Sequence, residues 1–288
     1  MKRLIQTRWG MTMLVLAAMG ISNCSKNKSI PAVTKQVTIQ ENAALGKILT
    51  DKDGRTLYSF ANDVSGQNGC TGGCESIWPV FYVDNLTTDE LGDPGLSITD
   101  FAAITTASGK KQLTYKGWPL YEYAPGGNPE AAGQTTGDAI GGLWFAAKPD
   151  YTIMLANTQL IGGDNIHYKA DYTPGDGNTI FFTDAIGNTL YTFSRDSANH
   201  NKFTKADFSN NTVWPIYDTT KIVVPSVLNK TLFSVTNVFG RNQLTYKGWP
   251  LYHFGADAGT RQSTKGVSFG AVGLWRVPVK DIPAAPFQ

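Results

Sequence analysis

The sequence has few charged residues, few histidines and few cysteines, and it lacks long runs of helix-forming residues. Charged side chains make up 17% of the 288 residues. Lys and Arg are not clustered along the chain, which excludes the usual kind of nucleic-acid-binding surface. Glycine is frequent, with 30 residues, and the chain contains 7 Trp, 12 Tyr and 14 Phe. This composition favours strands and turns over helices.

The common catalytic and cofactor-binding motifs are also missing. The sequence contains no nucleophile elbow, phosphate-binding loop, zinc-binding HExxH motif or dinucleotide fingerprint. Its three histidines, His167, His200 and His253, are far apart and form no paired pattern. The stretch "DKDG" at 51–54 resembles the start of a calcium loop, but the later glutamate is absent. We therefore predict no catalytic residue, no metal site, no cofactor and no enzymatic activity.

The first residues have the pattern of a bacterial lipoprotein signal peptide, predicted at 1–23. A basic start is followed by an apolar stretch at 11–21, which is too short to span a bilayer. The stretch "ISNC" then places Cys24 where such a peptide is cleaved and lipidated, although Asn23 is an unusual residue before that cysteine. The alternative is an ordinary secretory signal with an incidental cysteine. Removal of 1–23 takes away three cationic residues and leaves 25 − 3 = 22 basic against 23 acidic residues, a net charge of −1.

Two cysteines remain after Cys24, and they lie close together in "GCTGGC" as Cys70 and Cys74. An even number of thiols in an exported chain predicts a disulfide. The alternative is a reduced pair that binds copper or exchanges disulfides. Further soft ligands are not apparent nearby, and no βαβ pattern surrounds the pair, so a structural disulfide is favoured.

The rest of the chain is organised as a repeat. The ten residues "QLTYKGWPLY" occur at 112–121 and again at 243–252. Around them, "TDKDGRTLYSF" matches "TDAIGNTLYTF", a Trp-Pro pair follows in each half, and each half closes on a Gly-Leu-Trp. We predict a tether with a candidate first strand at 24–45, a first β repeat domain at 46–150, a connecting segment at 151–176 and a second β repeat domain at 177–288.

Each half is itself double, which gives four units in the order A-B-A-B. The units share a Gly-x-[Thr/Pro]-Leu-Tyr-x-aromatic motif, with an aspartate after it in three of the four. These repeat-motif residues are Tyr58, Asp63, Tyr121, Tyr191, Asp196, Tyr252 and Asp257. Gly126 occupies the aspartate position of the second unit.

Alternating residues around Asp-Gly or Lys-Gly predict that each unit is a β-hairpin. Its leucine then points to one face and its tyrosine to the other. We predict an all-β protein whose four hairpin-based units form two similar β domains or one pseudo-fourfold, propeller-like assembly.

The Tyr and Asp residues allow two interpretations. They could form a ligand, cation or proton-handling site, or they could stabilise turns, with Asp accepting backbone N–H groups and Tyr burying its ring. Their recurrence favours the structural interpretation, since an enzyme seldom needs one site several times. The aromatic residues could offer stacking platforms, but most recur at repeat positions and are predicted to be core. Trp118 and Trp249 follow turn glycines, so we predict that they are exposed and contact a partner.

The tandem Tyr-x-[Phe/Trp/Tyr]-x-x-Asp motifs, the "CxxxC…WP" element and "TYxGxPLYxF" resemble the bacterial secreted-repeat lipoproteins. The resemblance covers nearly the whole chain after the signal peptide. It implies export, lipidation and a repeat architecture, and it implies no reaction. The second half departs from the pattern because it has no cysteines.

Together these features predict a non-enzymatic lipoprotein of the cell envelope, anchored to the membrane by its N-terminal lipid. Ser25 after the lipidated cysteine does not resemble an inner-membrane retention signal, which favours the outer membrane or the cell surface. A β-repeat body there would be an accessory subunit that binds a protein partner. The alternatives are a redox or metal-handling protein that uses Cys70 and Cys74, and a hydrolase of envelope polymers, which the separation of the carboxylates disfavours.

Overall fold

A computed structural model describes Met1 and residues 32–287 of the chain. All strands described below belong to one compact unit that begins at Val33. The predicted signal peptide and the predicted lipidation site, Cys24, lie outside the described residues, apart from Met1. No helix in the described part is both long and apolar enough to cross a membrane.

The first half contains seven short strands and one helical turn. In chain order they are β1 (Val37–Asn42), β2 (Gly46–Asp51), β3 (Tyr58–Phe60), α1 (Cys74–Ile77), β4 (Phe101–Thr105), β5 (Lys111–Tyr115), β6 (Trp118–Pro119) and β7 (Trp144–Ala146). They form three antiparallel sheets, in the orders β1-β2, β3-β7 and β4-β5-β6. Short 3-10 turns connect several of these strands.

The second half repeats this arrangement of strands with one additional strand, β9. Its strands are β8 (Met154–Ile161), β9 (His167–Tyr168), β10 (Asn178–Thr183), β11 (Thr192–Phe193), β12 (Phe233–Val238), β13 (Arg241–Tyr246), β14 (Trp249–Pro250) and β15 (Trp275–Arg276). The sheets are β10-β8-β9, β11-β15 and β12-β13-β14. Strand β8 pairs with β10 as β1 pairs with β2, so the segment predicted to be a connection holds the structural counterpart of β1.

The turn chemistry explains the hairpins. Lys116 and Gly117 both have positive φ, as do Lys247 and Gly248, which matches the right-handed twist of the strands on either side. The proline that follows each turn lies on the outer strand of its sheet, opposite a threonine of the neighbouring strand. A proline is tolerated there because an edge strand does not need its N–H group.

Leucine and tyrosine alternate between two core layers, as the sequence predicts. Leu57 and Leu120 pack in an apolar cluster beneath the hairpins, whereas Tyr58 and Tyr121 pack with the tryptophans. Two of the four core clusters contain residues of both halves, so the two halves share parts of one core.

The all-β prediction is confirmed for the described residues, where α1 is a single short turn of α-helix. The propeller-like arrangement is not confirmed. A propeller needs four-stranded blades around a channel, and the sheets here have two or three strands each. The predicted boundary between repeat domains stays a prediction.

Candidate functional site

The centre of each half is a pair of tyrosines whose backbones exchange two hydrogen bonds. In the first half, Tyr58 N–H donates to the carbonyl oxygen of Tyr121 (2.8 Å), and Tyr121 N–H donates back to Tyr58 (3.0 Å). In the second half, Tyr191 and Tyr252 exchange the same two bonds, at 2.8 and 2.9 Å. All four tyrosines are fully buried. Units A and B of each half are therefore joined through their motif tyrosines.

Each tyrosine hydroxyl donates to a carboxylate of the other unit. Tyr121 donates to Oδ2 of Asp63 (2.5 Å), and Tyr252 donates to Oδ2 of Asp196 (2.7 Å). These two bonds run from unit B to unit A. A bond also runs from unit A to unit B, since Tyr191 donates to Oδ2 of Asp257 at 2.6 Å. The tyrosine and the aspartate of one motif therefore do not bond to each other. Each forms its hydrogen bond with a residue of the neighbouring unit.

The second unit, which lacks the aspartate, uses a glutamate instead. Glu130 lies four residues beyond Gly126, is buried, and accepts the hydrogen bond of Tyr58 on Oε1. Its Oε2 accepts from the backbone N–H (3.0 Å) and the hydroxyl (2.8 Å) of Thr136. The only sequence signal for this substitution is an acidic residue a few positions after the expected one.

The carboxylates also hold the loops that leave the strands. Oδ1 of Asp63 accepts from Gly69 N–H (2.7 Å), and Oδ1 of Asp196 accepts from Lys202 N–H (2.8 Å). Oδ1 of Asp257 accepts from the hydroxyl of Ser263 and the N–H of Lys265. These are the contacts that the structural interpretation of the motif predicts.

Burial shifts the titration of these groups. It raises the pKa of the Asp63 and Asp196 carboxyls to about 7 each, against the opposing effect of their hydrogen bonds. Burial, together with the neighbouring carboxylates, raises the pKa of Tyr121 and Tyr252 well above the usual value. These buried Tyr–Asp pairs are not accessible to a substrate. Titration of the carboxyls near neutral pH therefore changes the stability of the fold.

A stack of four aromatic rings lies across each tyrosine pair. Trp78 and Trp144 stack with centroids 3.8 Å apart, and Trp214 and Trp275 stack at 3.5 Å. The outer rings are Phe60 and Tyr123 in the first half and Phe193 and Phe254 in the second. The motif tyrosines meet these tryptophans edge-on, a favourable arrangement of ring quadrupoles. These tryptophans are core residues, as predicted.

Glycines allow the close approach of backbone to this stack. A Cβ on Gly137 would lie 2.8 Å from the Tyr58 ring, and one on Gly266 would lie 2.7 Å from the Tyr191 ring. The two glycines donate backbone N–H groups to the same tyrosine hydroxyls, at 3.2 and 3.3 Å.

Cys70 and Cys74 form a disulfide, with Cα atoms 5.3 Å apart, which confirms the predicted pairing. Cys70 is buried beside the aromatic stack of the first half. In the second half, Phe203 occupies the corresponding place and meets the Trp275 ring edge-on. There the loop is closed by the Asn210 side chain, which donates to the Phe203 carbonyl oxygen (2.7 Å). The second half therefore replaces a covalent loop closure with an aromatic ring and a hydrogen bond.

The predicted exposure of Trp118 is wrong. Its side chain is 3% exposed, and its Nε1–H donates to the carbonyl oxygen of Ala185 in the second half (3.1 Å). The guanidinium of Arg261 lies over the ring, 4.9 Å from its centroid. Trp118 therefore packs between the two halves of its own chain. Trp249, its repeat counterpart, is half-buried and donates to the carbonyl oxygen of Pro283 (2.8 Å).

Sequence reasoning missed Arg261, which holds this junction together. Its Nε–H donates to the carbonyl oxygen of Val64 (2.8 Å), and Nη1 donates to Lys116 (3.0 Å) and to Ile186. Gly117 leaves the space, because a Cβ there would lie 2.6 Å from Nη1. Burial lowers the pKa of Arg261 to about 10, so the guanidinium is still protonated at neutral pH. An isolated arginine in a loop gives no sequence signal of this role.

Among the described residues, no group of three or more His, Cys, Asp or Glu side chains is arranged to hold a metal ion. The four Tyr–carboxylate pairs instead define a class of protein: an all-β tandem-repeat scaffold whose recurrent polar residues are buried and bonded to one another.

Comparison with known families agrees with this class. The family described as "secreted repeat of unknown function" matches twice, at residues 41–82 and 102–148, so these two segments are similar to that repeat. The two matches correspond to units A and B of the first half. No match was found among curated proteins or among solved structures.

Proposed function

We propose that this chain is a non-enzymatic, lipid-anchored module of the cell envelope and an accessory subunit of an outer-membrane or surface complex. The observation that carries the proposal is the internal bonding of the repeat. Each motif tyrosine donates to a buried carboxylate, and each carboxylate also accepts from a loop. The recurring residues therefore stabilise the fold, and we infer that surface residues carry the binding function.

A candidate contact surface lies next to the second aromatic stack. Phe269 and Val272 are 44% and 47% exposed and belong to one short loop. The Phe269 ring packs on Phe254 and Trp214, with centroids 5.1 and 5.8 Å away, which fixes its position. A rigidly held, exposed aromatic side chain is the type of residue on which protein interfaces are centred.

The test is the size of the native particle. The full chain is expressed in a two-membrane bacterium, extracted from membranes in mild detergent and sized by native electrophoresis. We expect a complex larger than the monomer, a smaller particle for Phe269→Ser/Val272→Ser, and no change for Ile77→Ser, an exposed apolar residue of α1 in the first half. Cys24→Ser should release the chain from the membrane fraction. A lipidated wild-type chain that runs as a monomer would overturn the proposed subunit role.

A further inference from the structure

Lys148 lies where the repeat itself calls for an apolar residue. It comes four positions after Trp144, and the residue four positions after Trp275 is Val279. The equivalence is structural as well, because the next residue in each half, Pro149 or Lys280, accepts a tyrosine hydroxyl through its carbonyl oxygen. Val279 packs against the core of the second half. The fold therefore does not require a lysine at this position.

The side chain of Lys148 is largely buried, and the residue lines an open cleft. The residue is 9% exposed, and within the described part of the chain it has no hydrogen bond and no ion pair. Its Nζ lies 5.4 Å from the centroid of the Tyr151 ring. Burial lowers its pKa, Asp138 and Asp150 oppose this effect, and Lys230 adds to it. A partly desolvated ammonium without a paired anion, in a cleft, is a candidate for binding an anionic ligand.

Lys148 lines a cleft of about 600 Å³ between the β1–β2 turn and residues 222–230 of the second half. This volume lies within the usual range for small-molecule sites. Lys47 and Lys230 lie at its rim, with Glu41 and Asp150 as the acidic lining residues. Asp150 is already paired with Lys221, at 2.9 Å, so the lining has an excess of positive charge.

Apolar residues form part of the cleft wall. Val224 and Leu228 are buried core residues that reach its surface, and Leu45 closes it from the β1–β2 turn. Arginine, the residue that recognises phosphate through paired donors, is not among the lining residues. An ammonium without an ion-pair partner, beside an apolar part of the wall, suits a carboxylate carried on an apolar body.

We propose that this cleft binds a small organic monocarboxylate, with the carboxylate paired to Lys148 and its apolar chain against Val224 and Leu228. Lys148 also lines a neighbouring cavity of about 20 Å³, room for about one water molecule.

The test is hexanoate binding to the full lipidated chain in nanodiscs, measured by isothermal titration calorimetry with empty nanodiscs subtracted. Lys148→Met should weaken hexanoate binding about 10- to 100-fold, the range for loss of a charged hydrogen bond. Hexan-1-ol, which lacks the charge, should bind weakly and equally to both proteins. Lys52→Met, an exposed lysine remote from the cleft, is the matched control and should leave the affinity unchanged.

Two further measurements distinguish loss of the charge from misfolding of the variant. Lys148→Gln keeps a polar side chain without the charge and should lose hexanoate binding to a similar extent. In wild type, affinity should fall as the pH rises and the ammonium loses its proton. Unchanged binding in both variants, or no binding to wild type, would overturn the proposal. Lys148-dependent binding of inorganic phosphate at comparable affinity would also overturn it, because the site would then recognise phosphate.

Discussion

The hydroxyl of Tyr121 donates a hydrogen bond of 2.5 Å to Oδ2 of Asp63, which lies 58 residues earlier in the chain and in the other hairpin unit. Both residues are fully buried. The same exchange recurs for Tyr252 and Asp196. Because each unit supplies the acceptor for its neighbour, a single unit leaves a buried carboxylate and a buried hydroxyl without partners, and the pair of units is the smallest complete piece of structure.

Exchange between units predicts a specific pattern of energetic coupling. A double-mutant cycle of Tyr121→Phe with Asp63→Asn should give a coupling free energy of about 1–3 kcal/mol, as for contacting residues. The cycle of Tyr58→Phe with Asp63→Asn should give a coupling within about 0.5 kcal/mol of zero, since Tyr58 bonds to Glu130. Urea unfolding of the single and double variants measures both. The reverse order of couplings would show that each motif is closed within its own unit.

Glu130 should behave as a motif residue although it lies outside the motif. Glu130→Ala removes the acceptor of Tyr58 and of two Thr136 donors and should lower the free energy of unfolding by roughly 2–4 kcal/mol. Glu130→Gln keeps an acceptor oxygen and should cost less. Glu41→Ala, an exposed glutamate, serves as the control and should change stability by less than about 0.5 kcal/mol. Equal stabilities of the Glu130 and Glu41 variants would refute this role.

Arg261 should be needed to join the two halves. Arg261→Met leaves the carbonyl oxygens of Val64, Lys116 and Ile186 without their donor. We expect the free energy of unfolding to fall by roughly 2–4 kcal/mol. Trp118 fluorescence should shift to the red as water reaches the ring. Arg276→Met, in which the lost arginine is exposed, should leave both stability and emission near wild type. An unshifted Trp118 spectrum in Arg261→Met would contradict the packing described here.

Stability should fall as the pH rises from about 4 to above 7. Burial raises the pKa values of Asp63 and Asp196 to about 7 in the folded chain, from the ordinary value of 3.8 for an aspartate carboxyl. The folded state therefore holds protons that the unfolded state releases. The resulting stability is fully present below the unfolded pKa and is lost as the pH passes through 7. Each group contributes at most about 4 kcal/mol.

Urea midpoints measured between pH 4 and pH 8 test this dependence. Asp63→Asn with Asp196→Asn should flatten the profile over this range, whereas Asp89→Asn, an exposed site, should leave it as in wild type. A wild-type profile that rises over this interval, or that keeps its slope in the double variant, would rule out the two buried carboxyls as its cause.

The disulfide should stabilise the first half modestly. Cross-linking Cys70 to Cys74 closes a short loop, and the loss of this constraint should cost about 2 kcal/mol. Cys70→Ala/Cys74→Ala should match the wild-type chain measured under reducing conditions, and reductant should have no further effect on the variant. A chain that unfolds completely on reduction would show that the disulfide has a larger role than loop closure.

Much of the local structure could be predicted from the sequence. The hairpins follow from Lys-Gly turns and alternating residues, the two faces from the period of two along a strand, and the disulfide from two nearby cysteines in an exported chain. Each of these depends on residues within a few positions of each other, where backbone sterics and side-chain direction are sufficient.

The site was harder to predict because a repeat shows which residues are equivalent but not which copy each one contacts. Tyr121 is equivalent to Tyr58, yet it is Tyr121 that donates a hydrogen bond to Asp63, the aspartate of the first motif. Trp118 follows a turn glycine, a position that is often exposed, but the second half of the chain covers it. The predicted exposure failed because it considered only the hairpin in which Trp118 lies.

By itself, the sequence determined the β class, the order of the units, the turns and the disulfide, since these depend on short-range stereochemistry. Only the tertiary structure decided that the units exchange their carboxylates, that Glu130 replaces a missing aspartate, that Arg261 joins the halves and that Lys148 lines a cleft. Those outcomes depend on which distant segments share one core. Burial and hydrogen-bond satisfaction across the whole molecule select them, and no local pattern encodes that choice.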